Sequence, residues 1–555
     1  MPIVPIILWT LVALAPLATV FAVWRIVTGP RLISKLMFRY LMKRRIAWVS
    51  LVAVILCTAM VLIVISVMGG WLRMFRQTNH DLIGDLIVYR LGLDGFEHYQ
   101  EMIDEIRKIP DVKAATPTIH SYGLVEIGLA HTENPIRNMV DVVGLDIRQI
   151  GDVNGFVKSL HLQKEVLRAR ADALAAGAAQ TQRDAATRIS AGDNFEPFDP
   201  AQLAQEESAT ADSLRAKAAS FPSWDKPLPD FVYREQFPQS KRDPATWGGI
   251  IVGSGVIGLR SDDPRESIIY KARVKLTVLK VNLGESGPSL QDQTSTDYFW
   301  LTDDSHTGFF QADQATVYLP FDVLQKELGM GEHPYTTATG ETGTEPARCT
   351  EILISLRPDA DSYSTRDKVS AAVNGVLERY RLYYPEPGNV RVETWDQHQQ
   401  YFLSAVEHEK SLLVILFAII SVVAIFLIFC IFFMIVMEKT RDIGIVKSVG
   451  ATSSTVAAIF LGYGLSIGIF GGGMGLLLAF LVVHYINQLH ASLAYHTGYK
   501  IWDAKTYMFD TIPNTMDHRD VVVIVSIAIL SSVLGALVPA IRAARMNPVE
   551  ALRWE

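Results

Sequence analysis

The stretch GSGVIG (Gly253–Gly258) spaces its glycines as GxGxxG and follows a β-type run, so phosphate chemistry is the first possibility to test. A dinucleotide site needs an amphipathic helix that starts at those glycines and aims backbone N–H groups at the pyrophosphate. Here LRSDDPRES follows, a charged segment with a proline, and the expectation is a turn. EHE (Glu407–Glu409) has the residue types of a metal ligand set, yet no second His stands at helical spacing, and it reads as surface charge beside an apolar run. No GxxxxGK[ST] loop occurs, so the chain does not hold nucleotide phosphates in that way. No Ser–His–Asp or Cys–His set can be assembled. Cys57 and Cys430 lie inside apolar runs, where small cysteines are ordinary, and Cys349 stands apart. The polar residues do not point to an enzyme.

The apolar residues are more informative. They make up 49% of the 555 residues and are concentrated in five runs of about the 20 residues that cross a bilayer. These are Ile3–Trp24, Ile46–Met68, Ser411–Met437, Val456–Ile486 and Val521–Ala540. Pro5 and Pro16 interrupt the first. No charge precedes it and TVFAVW is a poor cleavage site, so it reads as a retained helix rather than a signal peptide. Arg25, Arg31, Lys35, Arg39, Lys43, Arg44 and Arg45 precede the second run with no acid among them, which makes that segment cytoplasmic. Lys439, Arg441 and Lys447 after the third run, and Arg542, Arg545 and Arg553 at the carboxy terminus, agree with this orientation. The overall charge of −7 hides the asymmetry, because the acids are mostly external. Few ionisable residues lie within the runs, which argues against an ion-coupled transporter or a hydrophilic pore.

The organisation expected is a multi-pass α-helical membrane protein with about five transmembrane helices and a large extracytoplasmic α+β domain. Residues 1–27 form an extra amino-terminal span and 28–45 a basic amphipathic helix, with Arg31, Lys35, Arg39 and Lys43 opposite Ile33, Leu36, Met37, Tyr40 and Leu41. A span at 46–70 leads into the first external part, 71–156. An Ala- and Pro-rich helical insertion occupies 157–242, and the second external part 243–410. Spans follow at 411–437, 456–486 and 521–540. A cytoplasmic helix (438–455) and an external loop (487–520) separate them, and 541–555 is a cytoplasmic tail.

Within the external region DLIVYR, VKAATPTIHSYGLVEIGL, RNMVDVVGL, GIIVGSG, ARVKLTVLKV, ATVYLP, EILISL and NVRVETW read as strands. Phe96–Lys108 and Tyr363–Tyr380 read as helices, giving two α+β halves around the insertion. The insertion, with LQKEVLRARADALAAGAAQTQRDAATRI and Pro200–Ala219, forms helices with a weak apolar stripe. It is either a protruding hairpin that touches a partner or a mobile spacer. GEHPYTTATGETGTEPA reads as a flexible loop.

Glu438–Val449 fits a three-turn helix with Ile443, Val446 and Val449 close to one face. Gly450 can take the left-handed conformation that closes it, and Thr452 or Ser453 can cap the next helix. A short capped helix between two spans transmits a push that a floppy loop would absorb. A connector that merely obeys the positive-inside rule would look the same.

EKTRDIGIVKSVGATSSTV, the Gly-rich GYGLSIGIFGGGMG and the terminal PAIRAARMNPVEALRWE resemble the FtsX/MacB-type ABC transporter permease superfamily. VISVMGGW, TGFFQADQATVYLPFDVLQKELG, ETWDQHQQYFLSAVEHEKSLLVILFAIISVVAIF and YMFDTIPNTMDHRDVVV are similar to its LolC/LolE lipoprotein-releasing branch. The likeness covers most of Leu36–Glu555 and is missing in the insertion. It implies a MacB-like periplasmic core (porter-type) external domain and a bacterial inner-membrane location. It also implies a separate LolD- or MacB-like ATPase dimer that carries ATP and Mg, and a second copy or a related permease. No cofactor is expected on this chain itself. Membrane lipids are expected partners and nucleic acid is not, and the insertion offers a place for a periplasmic partner. Glu438, Lys439, Arg441, Asp442, Ile443, Gly444, Lys447 and Gly450 would then be the ATPase-coupling contacts.

The implied work is mechanotransmission, which needs no pore. Exposing three acyl chains of ~15 carbons to water would cost on the order of 35 kcal/mol, so lipoprotein release would need an apolar groove. Val64, Val67, Met68, Trp71, Phe75, Leu413, Leu416 and Phe417 are its candidate walls. The same resemblance also admits a MacB-like efflux motor for peptides or drugs, or an FtsX-like relay that activates an external hydrolase.

Overall fold

The computed structural model describes residues 45–128, 135–160, 163, 167–168, 171–180, 200–225, 246–257, 273–284, 287–308, 310–336, 342–382, 384, 389–498 and 511–552. The expected first span and the basic helix before Arg45 lie outside them. The chain divides into a membrane unit (Met1–Met74, Phe402–Asp503 and Thr511–Glu555) and a second unit built mainly from Phe75–Tyr401.

Among the described residues, four helices are long and apolar enough to cross a membrane. They are α1 (Arg45–Ile83), α2 (Gln400–Glu438), α4 (Ser453–His484) and α5 (His518–Arg545); the short helices α3 (Thr440–Ser448) and α6 (Pro548–Leu552) accompany them. Both α1 and α2 have 39 residues. At 1.5 Å per residue each is about 58 Å long, roughly twice the hydrocarbon core of a bilayer. The sequence boundaries at 70 and 411 are therefore not helix ends. The polar residues from Arg73 to Asp81 contain no proline, and the helix stops only at Gly84, whose φ is +86°. The expected loop 487–520 begins with a helix, Ile486–Thr497, closed by left-handed Gly498.

Glycine lets α4 serve as the hub of the bundle. A Cβ at Gly464 would lie 2.6 Å from Ala536 Cβ, and one at Gly468 would lie 2.9 Å from Ile529 Cα, so this edge meets α5 backbone to backbone. On another edge, Cβ atoms at Gly471 and Gly475 would strike Val54 and Thr58 of α1. Gly535 of α5 is pressed in the same way against Ile425 and Ile428 of α2. Between apolar helices in lipid, close van der Waals contact replaces the hydrophobic effect as the driving force, and small residues permit it. Val54, Ile428, Phe432, Tyr463, Ile467 and Ala536 fill the centre, with one or more from each of the four helices.

The second unit is α+β. Among the described residues, nine strands form its main sheet: β1 (Leu86–Arg90), β2 (Val112–Gly128), β3 (Ile136–Leu145), β4 (Gly248–Gly253), β5 (Arg273–Gly284), β6 (Gly287–Ser305), β7 (Thr316–Pro320), β8 (Glu351–Leu356) and β9 (Val390–Thr394). Their order is β9-β1-β8-β2-β3-β7-β4-β6-β5, with β5 also paired to β2. The last six strands therefore close into a barrel. Gly123 makes the closure possible, because it pairs with Val140 on one side and Val278 on the other. A Cβ there would sit 2.9 Å from both Thr277 O and Val142 Cγ2.

The two expected halves are not separate. β1 and β2, flanking helix Tyr99–Arg107, interleave with β8 and β9, flanking helix Ser362–Arg379, in the antiparallel order of a ferredoxin-like double βαβ. The expected flexible loop at Gly331–Ala347 contains a two-stranded hairpin, His333–Thr336 with Thr342–Glu345.

The described helices of the insertion neither protrude nor hang free. Leu167, Ala171, Ala211, Leu214 and Ala218 are buried in the main core beside Trp247 and Trp300. Arg215 of one helix pairs with Asp172 of the other at 3.1 Å. The readable signal was alanine and leucine at i, i+4, i+7 (Ala171, Ala175, Ala178) and at i, i+3, i+7 (Ala211, Leu214, Ala218), a stripe too small in volume to score as amphipathic.

Lys217 shares that buried seam. Its Nζ donates to the carbonyls of Ser223, at 2.8 Å, and Asp225. Burial pulls its pKa down to about 8, against the opposing charges of Asp303 and Asp225. The unfolded chain keeps this proton to higher pH, so the contribution of Lys217 to stability rises as pH climbs from about 8 towards 10.5 and is level below 8. Hydrogen exchange of helix Pro200–Ala219, corrected for intrinsic rates, should show a gain of up to about 3 kcal/mol across that window. In Lys217→Met the pH dependence should vanish; a wild-type profile without it contradicts the buried ammonium.

Candidate functional site

The sharpest concentration of unusual local structure lies between α2 and α4. Helix α2 ends at Glu438, and Lys439 leaves helical geometry with φ −99° and ψ 10°. Helix α3 therefore starts at Thr440 rather than at Glu438. Thr440 Oγ1 donates to the carbonyls of Val436 (3.2 Å) and Met437 (2.8 Å), which the broken ladder would otherwise leave open. Lys439 and Asp442 form an ion pair across the first turn. At the other end Gly450 has φ +106°, its N–H donates to Lys447 O, and Ala451 N donates to Val446 O. Thr452 then caps α4, accepting from Thr455 N at 3.3 Å. Helices α3 and α4 thus meet through four residues, Val449–Thr452, with hydrogen-bonded closures on both sides, and the joint is a stiff elbow.

Inward, Ile443 packs with Val436 of α2, Val456 and Phe460 of α4, and Ala540 and Ala543 of α5. Gly444 is buried as well. Lys447 reaches across to donate to the carbonyls of Ala544 (2.8 Å) and Met546 (2.7 Å), placing a cation on the negative dipole end of α5. Helix α6 lies along α3. Three spans therefore grip one nine-residue helix.

Outward the surface is apolar. Ile445 is 47% exposed, Val446 41%, Val449 84% and, on α6, Val549 64%. The expectation that Ile443, Val446 and Val449 share a face is corrected. Steps of three residues drift about 60° each around a helix, so Val449 lies about 120° from Ile443 and faces away from the core. Of the eight expected contact residues, Ile443, Gly444 and Lys447 are committed inward, and Arg441 and Gly450 are exposed beside the strip. Ile445, Val446 and Val449, exposed on the outer side, are not among those eight.

The other candidates do not form sites. GSGVIG leads into a single helical turn, Ser254–Ile257, while Gly258 and the LRSDDPRES segment expected as a turn lie outside the described residues. Its glycines serve packing, since a Cβ at Gly253 would lie 2.3 Å from Asp313 O and one at Gly255 2.1 Å from Gln314 Nε2. Ser254 Oγ and Asp313 approach the same His306 nitrogen, Nδ1, at 3.3 and 3.6 Å, so no proton relay runs through the ring. Asp313 instead ties the loop, accepting from Thr307 N, Thr307 Oγ1 and Gly308 N, while burial pushes its pKa up. Glu407–Glu409 lie on the continuous helix α2, and no metal-binding group of His, Cys, Asp or Glu occurs among the described residues. Of the proposed groove walls, Val64, Val67, Met68, Trp71 and Leu413 are half-buried, Leu416 is exposed, and Phe75 and Phe417 are buried.

Residues 414–548 match the family described as FtsX-like permease C-terminal. The chain is 31% identical over 166 residues to the lipoprotein-releasing system transmembrane protein LolC of Neisseria meningitidis serogroup B, covering 30% of this chain and 40% of that protein. It is 25% identical over 166 residues to LolE of Haemophilus influenzae, with the same coverage. The macrolide export ATP-binding/permease protein MacB of Hahella chejuensis is 31% identical over 160 residues, 28% of this chain and 21% of that protein. The chain thus spans about 40% of the length of the LolC and LolE proteins it matches.

Proposed function

We propose that the chain is an ABC transporter permease of the FtsX/MacB type, similar over its matched segment to LolC and LolE, and that it works as a lever driven by a separate ATPase. The elbow carries this reading: α3 is clamped by α2, α4 and α5 through Ile443 and Lys447, yet presents Ile445, Val446 and Val449 to whatever docks on it. An ATPase dimer holding ATP and Mg would seat this apolar strip in a surface groove, with Arg441 at its rim. Closure of the dimer would then displace α3, and the displacement would pass to three spans at once. The positive-inside pattern supports an elbow on the cytoplasmic side and an extracytoplasmic α+β unit in a bacterial inner membrane, and a second permease would complete the transporter. The cargo is a lipoprotein or another lipid-like molecule taken from the inner membrane, consistent with spans almost free of charge.

Binding tests the lever. In nanodiscs, Val446→Asp with Val449→Asp should weaken capture of its ATPase partner by about tenfold or more, the equivalent of ~1.4 kcal/mol. Unchanged capture would remove the elbow from the interface. Photo-crosslinkers at Met68 and Leu413 test the cargo. Adducts with a triacylated lipoprotein support it, and adducts with unacylated peptide alone point to an efflux motor instead.

A further inference from the structure

Helix Ile486–Thr497 has 12 residues, and none of them is buried. A helix of that length is marginal on propensity alone, so what its exposed face meets bears on its stability. Tyr485, Ile486, Leu489 and Leu493 lie within about 100° of one another around its axis, and Tyr485, Leu489 and Leu493 are 52%, 57% and 39% exposed. The back of the helix is held by the protein. Asn487 Nδ2 donates to Ile512 O at 3.1 Å, and Ile512 N donates back to Asn487 Oδ1 at 2.9 Å. That clasp leaves the apolar stripe facing away from the bundle.

Two further observations name the occupant. Tyr485 is both the residue that closes membrane helix α4 and the N-cap of this helix, so its first turn stands at the bilayer surface by chain connectivity. From Tyr485 to Gly498 the sequence holds no Asp, Glu, Lys or Arg, and tyrosines mark both ends at Tyr485 and Tyr495. A segment without Asp, Glu, Lys or Arg and with aromatic ends suits the zone between headgroups and acyl chains, where an amphipathic helix lies flat.

We propose that Ile486–Thr497 is an interfacial membrane helix: its Tyr485–Ile486–Leu489–Leu493 face lies in the headgroup–acyl boundary and holds that end of α4 at a set depth while the elbow end is pushed. The inference depends on α4 crossing the membrane and not on which ATPase or cargo the permease serves.

The test uses the full chain in liposomes, with the fluorescent amino acid dansylalanine placed at position 489, 493 or 491 in separate preparations. Lipids brominated just below the headgroup should quench the probe at 489 and 493 by about twofold more than at 491, which lies on the other side of the helix. Equal quenching at 489 and 491 would overturn the proposal. So would a probe at 489 that is shielded from both bromolipid and aqueous iodide, since a protein would then occupy the face. Leu489→Asn should preserve ATPase capture but lower quenching at 493; unaltered quenching there would mean that the stripe does not hold the helix down.

Discussion

Gly468→Leu is expected to take the membrane unit apart, while Gly473→Ala leaves it intact or firmer. Both glycines sit in the middle of α4 and look alike in the sequence. A Cβ at Gly468 would lie 2.9 Å from Ile529 Cα, 3.1 Å from Ser532 Cβ and 3.2 Å from Ile529 O. Backbone atoms cannot turn aside as a side-chain end can, so any added carbon must drive α4 and α5 apart. Overpacking a tight core costs about 1–3 kcal/mol, and a leucine at a backbone contact belongs at the upper end of that range. Nothing lies within 4 Å of the Cβ position of Gly473. Alanine there gains the ~1 kcal/mol that separates it from glycine in a helix. Thermal denaturation of the purified chain in detergent compares them directly. Equal melting temperatures would mean that the helices do not meet along this edge.

Lys447→Met is expected to separate docking from work. The substitution leaves Ile445, Val446 and Val449 untouched on the exposed side, so ATPase capture should stay within about twofold of the original. It removes the two charge-assisted hydrogen bonds to Ala544 and Met546 that fasten the elbow to α5. Hydrogen bonds to charged groups contribute about 1.5–3 kcal/mol, and losing them should lower cargo release per ATP hydrolysed by about tenfold or more. Lys447→Arg should recover part of the loss, since a guanidinium can still reach carbonyl oxygens at a helix end. Normal coupling in Lys447→Met would show that α5 does not take its motion from the elbow. A loss of capture would show that Lys447 contacts the ATPase after all.

Much of the elbow was legible beforehand because its determinants are local. Gly450 closes a helix at positive φ and Thr452 caps the next, as their residue types and spacing require. The four described spans follow from apolar runs, and the strands β1, β8 and β9 from their β-branched alternation and flanking polar turns. Where each side chain of the elbow points was not legible. Lys447 and Arg441 are both basic residues on one short helix, and only the position of the α5 terminus makes one a tether and leaves the other on the surface. Ile443 and Val446 are equivalent in type, and the packing of three neighbouring helices decides which is covered. The insertion was misjudged for a related reason. Alanine contributes little to an apolar stripe, yet a stripe of alanines lets two helices sit close enough to be buried.

By itself the sequence determined what bilayer thickness and backbone chemistry dictate over a few residues: where helices cross, where they must break, and that no nucleotide loop or catalytic set is spelled out. It also carried the resemblance to FtsX-like permeases, which the family match covers over residues 414–548. Tertiary structure alone decided that β2 and β5 meet at Gly123 to close a barrel and that two distant βαβ units interleave into one sheet. It also decided that the glycines of α4 divide between two neighbours and that Lys447 turns inward. Each of these depends on contacts between residues far apart in the chain, where the partner's shape, rather than the residue's own propensity, selects the outcome.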